Sequence, residues 1–380
     1  MLCITGARAT VPSVTSVVPA DRTAALDRTA APGLATASAS LSETWRVLRP
    51  LLGATAVVAT DDPTLERSVA RSDHPLVASC APLEHGAARP IAPAAEPLVA
   101  AFLDGVQRSR VVAHLEDTPV VFATVAAAVR ERVDRRLTTW EQPELRRQLL
   151  VSRRAFGETR WEQLLGAGVS VADLDQPELD AEPSAESSAL PAEWPVHPHA
   201  LRARALAKVS LEREKLERYL AARWCASETR WLWIDGGIAG NVMFDAMAPV
   251  FGVVKSHTTL YGSGAAVRDI LALQEGERSP AFLVGHRVRR AVASWYLRLR
   301  PAAHADPLFG LVRVEVIPPP SLLDQQVAPA ALVAFSALCD RLSAAILLER
   351  HPVSLPDPRW DTLAYGVHAV EMYLKSLIGP

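Results

Sequence analysis

The sequence predicts a mixed α/β fold in which a central sheet is flanked by helices. Short apolar segments follow one another in the first half of the chain, which is typical of an antiparallel meander. In the second half a long charged segment with helical spacing leads directly into an apolar run, and a helix followed by a strand indicates α/β packing. With 380 residues, 49% of them hydrophobic, the chain can fill a substantial core.

The chain divides at two segments that lack apolar periodicity. Residues 1–42 are rich in Ala, Thr, Ser and Pro, so we expect a disordered leader. Residues 43–96 form an irregular N-terminal extension of unknown role, although 43–62 has the pattern of a helix followed by a short strand. Residues 97–380 form the main domain, interrupted by an acidic linker or surface loop rich in Ser and Pro at about 171–199.

The first part of the main domain predicts the meander. An apolar segment at 97–103 reads as a strand that ends at Asp104 and Gly105. A second apolar segment follows at 111–114, then a turn around Glu116 and Asp117, then a strand at 119–128.

The second part predicts alternating helices and strands. A charged helix at about 201–224 precedes a strand at 231–234, which delivers Asp235 followed by two glycines. The later predicted elements are a helix at 241–249, strands at 251–255, 293–299 and 311–317, and helices near 328–350 and 365–378.

Charge and cysteine content restrict the function classes. A net charge of -2, from 40 Lys+Arg and 42 Asp+Glu, excludes global attraction to DNA, so any nucleic-acid affinity must be local. The four cysteines contain no CxxC pair, which argues against both a disulfide framework and a structural zinc site. No signal peptide and no uninterrupted apolar run of about 20 residues is present, so we expect a cytoplasmic protein without a membrane span.

Arginine is clustered in two places in the sequence. One group is Arg130, Arg132, Arg135 and Arg136, and the other is Arg287, Arg289, Arg290, Arg298 and Arg300. Charge runs are most often solvated faces of helices and strands, and the alternative is that these groups follow a nucleic-acid backbone without reading its sequence.

Two segments have the same form, an apolar run that delivers an Asp followed by Gly. They are FLDG at Asp104 and WIDG at Asp235. A carboxylate at the end of a buried strand is rigidly placed, and two of them suit a shared metal ion. The alternative stays open that Asp-Gly only turns the chain after a strand.

Glu214 and Glu217 lie three residues apart, on one face of the charged helix that leads into the Asp235 strand. Either glutamate is a candidate to reach the same ion, and an ordinary solvated helix is the alternative. Two aspartates and a glutamate supply hard oxygen ligands, which favour Mg²⁺ or Mn²⁺ over zinc.

Taken in order, these motifs resemble the NurA nuclease family, which acts on DNA ends with HerA-type hexameric ATPases. FLDGVQRS and the following meander resemble the first motif of the family, and the acidic helix with WLWIDGG resembles its second. FGVVKSH resembles the strand that carries a lysine near the site, here Lys255, and SWYLRLRP with GLVRVEV resembles the paired late strands.

The resemblance implies a ribonuclease-H-like core and a Mn²⁺- or Mg²⁺-dependent nuclease that hydrolyses DNA. It assigns metal ligation to Asp104, Asp235 and Glu214 or Glu217, and a supporting positive charge to Lys255. The family ends in a helix with a functional His; here that stretch offers His368 and Glu371 in a different context, and a satisfied core or surface His is the alternative.

The resemblance also implies partners. No GxxxxGK[ST] motif is present, so energy coupling would come from a HerA-like ATPase. The family further implies a homodimer. Two other functions stay open: a catalytically weak binding or scaffolding subunit of an ATPase complex, and a metal-dependent hydrolase acting on RNA or nucleotides.

Overall fold

A computed structural model of the chain describes residues 39–52, 57–58, 77–134, 136–176, 197–239, 248–255, 260–261, 264–286, 290–302, 307–323, 327–350 and 364–379. Most of the predicted leader therefore lies outside the described residues, as do nearly all of the predicted helix at 241–249 and most of the predicted linker. The chain from Ser38 to Pro380 forms one compact unit.

The described residues contain fourteen strands and seven α-helices. The strands are β1 Val57–Val58, β2 Val77–Pro82, β3 Arg89–Pro90, β4 Val99–Leu115, β5 Thr118–Val133, β6 Arg136–Thr139, β7 Glu144–Val151, β8 Val171–Asp173, β9 Trp231–Asp235, β10 Val250–Val254, β11 Glu277–Arg278, β12 Phe282–His286, β13 Val292–Arg298 and β14 Leu311–Val316. The helices are α1 Leu41–Leu52, α2 Arg153–Phe156, α3 Glu158–Gly166, α4 Pro198–Ser227, α5 Ala265–Leu271, α6 Pro329–Leu348 and α7 Tyr365–Ile378, and a 3₁₀ turn spans Pro320–Leu322.

All fourteen strands belong to one mixed sheet. Its main path runs β2-β12-β13-β14-β10-β9-β4-β5-β7-β8, with β1, β3, β6 and β11 paired to its sides. The three central strands β10, β9 and β4 are parallel to one another, whereas β4 pairs antiparallel with β5 and β10 pairs antiparallel with β14. The predicted mixed α/β class is therefore confirmed. The predicted meander is observed in part: β4 and β5 pair antiparallel, and β7, which the sequence did not predict, adds the third strand.

β4 is longer than the sequence predicted, and this corrects the expected position of Asp104. The strand does not end at Asp104 and Gly105 but continues to Leu115, so two predicted strands are one. The physical reason is the ladder with β5, which pairs β4 residues from Ala101 to Leu115. The chain turns only after Leu115, where Glu116 has a φ of 52°, as the turn prediction expected.

The sheet has a hydrophobic layer on each face. On one face α4 packs with Leu216, Leu220 and Trp224 against alternate residues of β4 and β5, including Leu103. On the other face α6 and α7 pack against the intervening residues, among them Phe102. Because both faces are covered, the central strands contain nearly continuous apolar residues.

The N-terminal extension is more regular than the sequence predicted. α1 packs against the far ends of β4, β5 and β7, while β2 pairs with β12 and β3 pairs with β11. The predicted linker also begins later than expected, because Val171–Asp173 form β8 beside β7. The sequence did not predict β7, whose mixed polarity hides the strand period, or β12, a short apolar segment that ends at Gly285 and His286.

One helix of the described residues, α6, is long and apolar enough to cross a membrane by length and composition, where the sequence predicted none. The same composition is typical of a core helix in a soluble protein. α6 packs in that manner, with Phe335, Leu342 and Ile346 buried against the sheet.

Candidate active site

Asp104 and Asp235 lie side by side at the centre of the sheet. β4 and β9 are parallel neighbours, and Leu103 pairs with Ile234, so the next residue of each strand is an aspartate. Phe102 and Trp233, two residues before them, both pack in the layer under α6 and α7. Since residues two apart in a strand share a face, the two carboxylates are on that same face.

The electrostatics of this pair are those of crowded, desolvated acids. Asp104 is 6% exposed, and burial raises its pKa well above the usual range. Repulsion from Asp235 and Glu217 raises it further, whereas Lys255 and a hydrogen bond from the Gly105 N–H to Asp104 Oδ1 lower it. The pKa of Asp235 is also raised, chiefly by burial.

Glu217 approaches from α4, on the face of the sheet opposite the two aspartates, where it meets Gly105. It is 9% exposed, and a Cβ placed on Gly105 would overlap its Oε1 atom. Glycine at 105 therefore creates the space that Glu217 occupies, in a strand whose backbone is otherwise ordinary. Burial raises the pKa of Glu217 to about 7, with Arg213 lowering it and the charges of Glu214 and Asp235 raising it.

Of the two helix glutamates in the sequence prediction, the structure brings Glu217 beside Asp104 and leaves Glu214 one turn away. Glu214 is partly exposed, and its charge acts on Glu217 and Arg213. Glu214 therefore adds negative charge near Glu217 and Arg213 without being buried beside them.

Arg213 is a site residue that the sequence analysis did not single out. Its Nη1 forms an ion pair with Glu217, four residues along the helix, and its Nε donates to Gln107 Oε1 at 3.2 Å. Gln107 also donates to Ser210 at 3.3 Å, so the strand and helix are joined at this point. The available signal was the spacing: Gln107 shares the strand face of Gly105, and Arg213 shares the helix face of Glu217.

Lys255 lies directly against Asp235, one residue after the end of β10. Its Nζ is 2.8 Å from Asp235 Oδ2, and the two side chains are 12% and 18% exposed. The lysine that the sequence placed near the site is thus in contact with the second aspartate.

α7 packs over β4 and β5 on the face of the sheet that carries the two aspartates. It approaches the sheet closely because Gly366 lies against the Phe102 ring, which a Cβ would overlap. The charge of Glu371 acts on Asp235 and raises its pKa. His368 faces Glu371, with 3.7 Å between Nδ1 and Oε2, and the other Glu371 oxygen pairs with Lys375. Of the two C-terminal candidates, Glu371 is the one whose charge reaches Asp235.

Several of the clustered arginines are engaged within the fold, and the alternative that the groups follow a nucleic-acid backbone stays a prediction. Arg132 pairs with Glu349 at 2.7 Å, and Arg130 stacks on the Tyr373 ring at 4.4 Å. Arg298 is fully buried and donates to the carbonyls of Leu271, Leu273, Pro307 and Phe309. Arg135, Arg287 and Arg289 lie outside the described residues.

Within the described ranges, no three His, Cys, Asp or Glu side chains form a group that could hold a metal ion. Instead, Lys255 and Arg213 are interleaved with the acids, each bonded to one of them. Of the described cysteines, Cys80, Cys225 and Cys339, none forms a disulfide. The chain matches no family model and no curated protein sequence.

Proposed function

We propose that the chain is a divalent-metal-dependent nuclease that hydrolyses DNA phosphodiester bonds, as its resemblance to the NurA family implies. The observation that carries the proposal is the adjacency of Asp104 and Asp235 on neighbouring parallel strands, with Glu217 close enough across the sheet for its charge to raise the pKa of Asp104. They come from β4, β9 and α4, and two of them are separated by 131 positions (235 minus 104). Two buried acids, Asp104 and Glu217, close to the half-buried Asp235 cost stability because their charges repel one another, so their juxtaposition calls for a functional reason.

The order of the central elements supports a ribonuclease-H-like core. The antiparallel strands β4, β5 and β7 come first, then α4, then β9 and β10 parallel to β4, giving the spatial order β7-β5-β4-β9-β10. A ribonuclease-H-like core requires this order. It also requires one acid on the first strand, here β4, one on the helix, here α4, and one on the fourth strand, here β9.

The donor set fits Mg²⁺ or Mn²⁺. Asp104, Asp235 and Glu217 offer only oxygen ligands, and burial together with mutual repulsion raises the pKa of each. A divalent ion bound to these residues would replace their ion pairs with Lys255 and Arg213 by a stronger positive charge. When bound, the ion would supply a Lewis acid and lower the pKa of a coordinated water.

Lys255 and Arg213 are positive side chains that could bind the phosphate group of a substrate. Lys255 adjoins Asp235 and Arg213 adjoins Glu217, so positive charge is present at two sides of the acids. Arg213 is held through Nε and Nη1, which leaves its Nη2 to donate to a phosphate oxygen. Lys255 would neutralise charge that develops on the phosphate.

The test is cleavage of linear duplex and single-stranded DNA by the purified chain with Mn²⁺. Cleavage sensitive to EDTA is expected, and it should be abolished by Asp104→Ala and by Asp235→Ala. Asp269→Ala is the matched control because Asp269 is exposed on α5, away from the site, and this variant should cleave normally. Cleavage retained in both site variants would overturn the assignment. RNA and nucleotide competitors in the same assay test the alternative substrates.

A second candidate function, a catalytically weak binding or scaffolding subunit, is favoured by the ion pairs themselves. With Lys255 on Asp235 and Arg213 on Glu217, two of the three acids are already neutralised without an ion. Calorimetric titration of the metal-free protein with Mn²⁺ separates the two. Heat of binding that disappears in Asp235→Ala supports the nuclease, and no binding supports the scaffold.

The partners remain predictions from the family resemblance. We propose that the chain acts in the cytoplasm as a homodimer with a HerA-like hexameric ATPase, in DNA end processing or defence. An adjacent gene for such an ATPase and its co-purification with this chain would support the pairing. Sedimentation as a strict monomer at micromolar concentration would contradict the dimer.

A further inference from the structure

Glu315 is a buried acid outside the group described above, and it contacts the backbone just after Asp235. Glu315 lies on β14, is 1% exposed, and its Oε2 accepts a hydrogen bond of 2.9 Å from the Ile238 N–H. Ile238 is only three residues after Asp235. The carboxylate therefore holds the backbone turn that follows the second aspartate.

Glycines make this contact possible. Gly252 on β10 is paired with Glu315 on one side and with Ile234 on the other, so it lies between the acid and the Asp235 strand. A Cβ on Gly252 would lie 2.5 Å from the Gly236 carbonyl oxygen, and a Cβ on Gly237 would lie 3.0 Å from Glu315 Oε2. The turn thus folds back over a gap in the side-chain layer, and Glu315 binds it across that gap.

Glu315 is itself fixed by Arg313. The two side chains share one strand face and meet at 2.9 Å between Nη2 and Oε1, and the guanidinium carbon lies 4.3 Å from the centre of the Tyr261 ring. A buried ion pair adds little net stability, because desolvation offsets the attraction between its charges. Stability therefore gives no reason for this acid, whereas the hydrogen bond to Ile238 does.

We infer that Glu315 is a positioning residue that fixes Asp235 through the turn at residues 236–238. The Asp235 carboxylate is then held from two directions, by Lys255 at its side chain and by Glu315 through its backbone. The inference rests on the proposed function only in so far as Asp235 is taken to serve the reaction. The backbone contact itself does not depend on any activity.

The test compares two double variants, Arg313→Met with Glu315→Leu and Arg313→Met with Glu315→Gln. Both remove the ion pair and leave no unpaired guanidinium, so both change the fold in the same way. Only Gln keeps an oxygen that can accept from Ile238 N–H. A difference between the two variants therefore reports on the hydrogen bond alone, and equal melting temperatures check that both are folded.

Three quantities are measured: amide hydrogen exchange at Ile238 without metal, Mn²⁺ affinity by calorimetry, and kcat with KM for DNA cleavage. In the Leu variant we expect exchange to be about 10-fold faster, since the amide loses its acceptor. We expect Mn²⁺ affinity to fall about 10-fold, and kcat to fall by a similar factor with KM unchanged, as for other residues that orient metal ligands. The Gln variant should restore all three.

The outcomes separate the two proposals. Equal exchange in the Leu and Gln variants would overturn the contact, and unequal exchange with equal Mn²⁺ affinity would overturn the positioning role. If the wild-type chain cleaves no nucleic acid, the proposed function fails. Exchange and Mn²⁺ affinity then still decide whether Glu315 positions Asp235.

Discussion

The two Asp-Gly pairs look alike in the sequence and differ in the structure. Asp104 and Gly105 lie within a 17-residue strand, and Gly105 leaves room for Glu217 on the face opposite the Asp104 side chain. Asp235 and Gly236 end a five-residue strand, and Gly236 has a φ of 117°, which starts a turn. Gly105 makes room for the Glu217 side chain, whereas Gly236 allows the backbone to turn.

The two halves of the site also differ in charge. The Asp104 half contains two acids with raised pKa values, Asp104 and Glu217. Arg213 forms an ion pair with Glu217 but not with Asp104. The Asp235 half has Lys255 in direct contact with the aspartate. The same dipeptide therefore delivers a poorly neutralised carboxylate in one case and a paired carboxylate in the other.

The largest expected effect comes from removing the charge of either aspartate, Asp104 or Asp235. Asp104→Asn and Asp235→Asn should each lower cleavage on the order of 10³-fold, because a bound metal contributes several kcal/mol of charge stabilisation. Their stabilities should differ. Without metal, Asp104→Asn should not lower the melting temperature, since it removes a repelled charge. Asp235→Asn should cost about 1–3 kcal/mol, since Lys255 loses its partner.

The measurement is thermal unfolding in EDTA at pH 8, next to the cleavage assay. Asp269→Asn serves as the control for both, because this exposed residue lies on α5. An equal loss of stability in the two site variants would show that the halves do not differ in charge balance.

A smaller effect separates the two glycines. Gly105→Ala should lower kcat about 10²-fold by displacing Glu217, because a displacement of about 1 Å at a catalytic group has such an effect. Gly236→Ala should instead cost about 1–3 kcal/mol in stability, because its φ is unfavourable for alanine although no atom obstructs the Cβ. Gly166→Ala is the control, with neither obstruction nor positive φ. Similar losses of stability in the first two variants would contradict the distinction.

The sequence could predict the strands that carry the two aspartates because each is an apolar run of clear length. It could also predict the charged helix and both late strands. It could not tell that β4 continues past Gly105, because a glycine in a strand and a glycine in a turn are the same letter. Arg213 and Glu315 were not predicted as site residues because their roles depend on pairing between segments that are distant in sequence.

α7 offers a test confined to the Asp235 half. Glu371→Gln should lower kcat about tenfold, because the Glu371 charge acts on Asp235 and a residue that tunes a ligand has effects of this size. His368→Gln should change kcat by less than about threefold, because the His368 ring faces Glu371 rather than either aspartate. Steady-state kinetics of the two variants with wild-type protein as reference decides this. A greater loss in His368→Gln would reverse their roles.

The last expected effect concerns stability alone and belongs to the Asp104 half. The pKa of Glu217 is about 7 in the folded protein against an ordinary value of 4.5, so between these values the folded state binds more protons than the unfolded state. The stability contributed by protonated Glu217 is present below pH 4.5 and is lost as the pH rises towards 7. Glu217→Gln lacks this group. Its stability relative to the wild type should therefore increase from pH 5 to pH 8 in urea unfolding with EDTA, and parallel pH profiles would show that the acid is not desolvated.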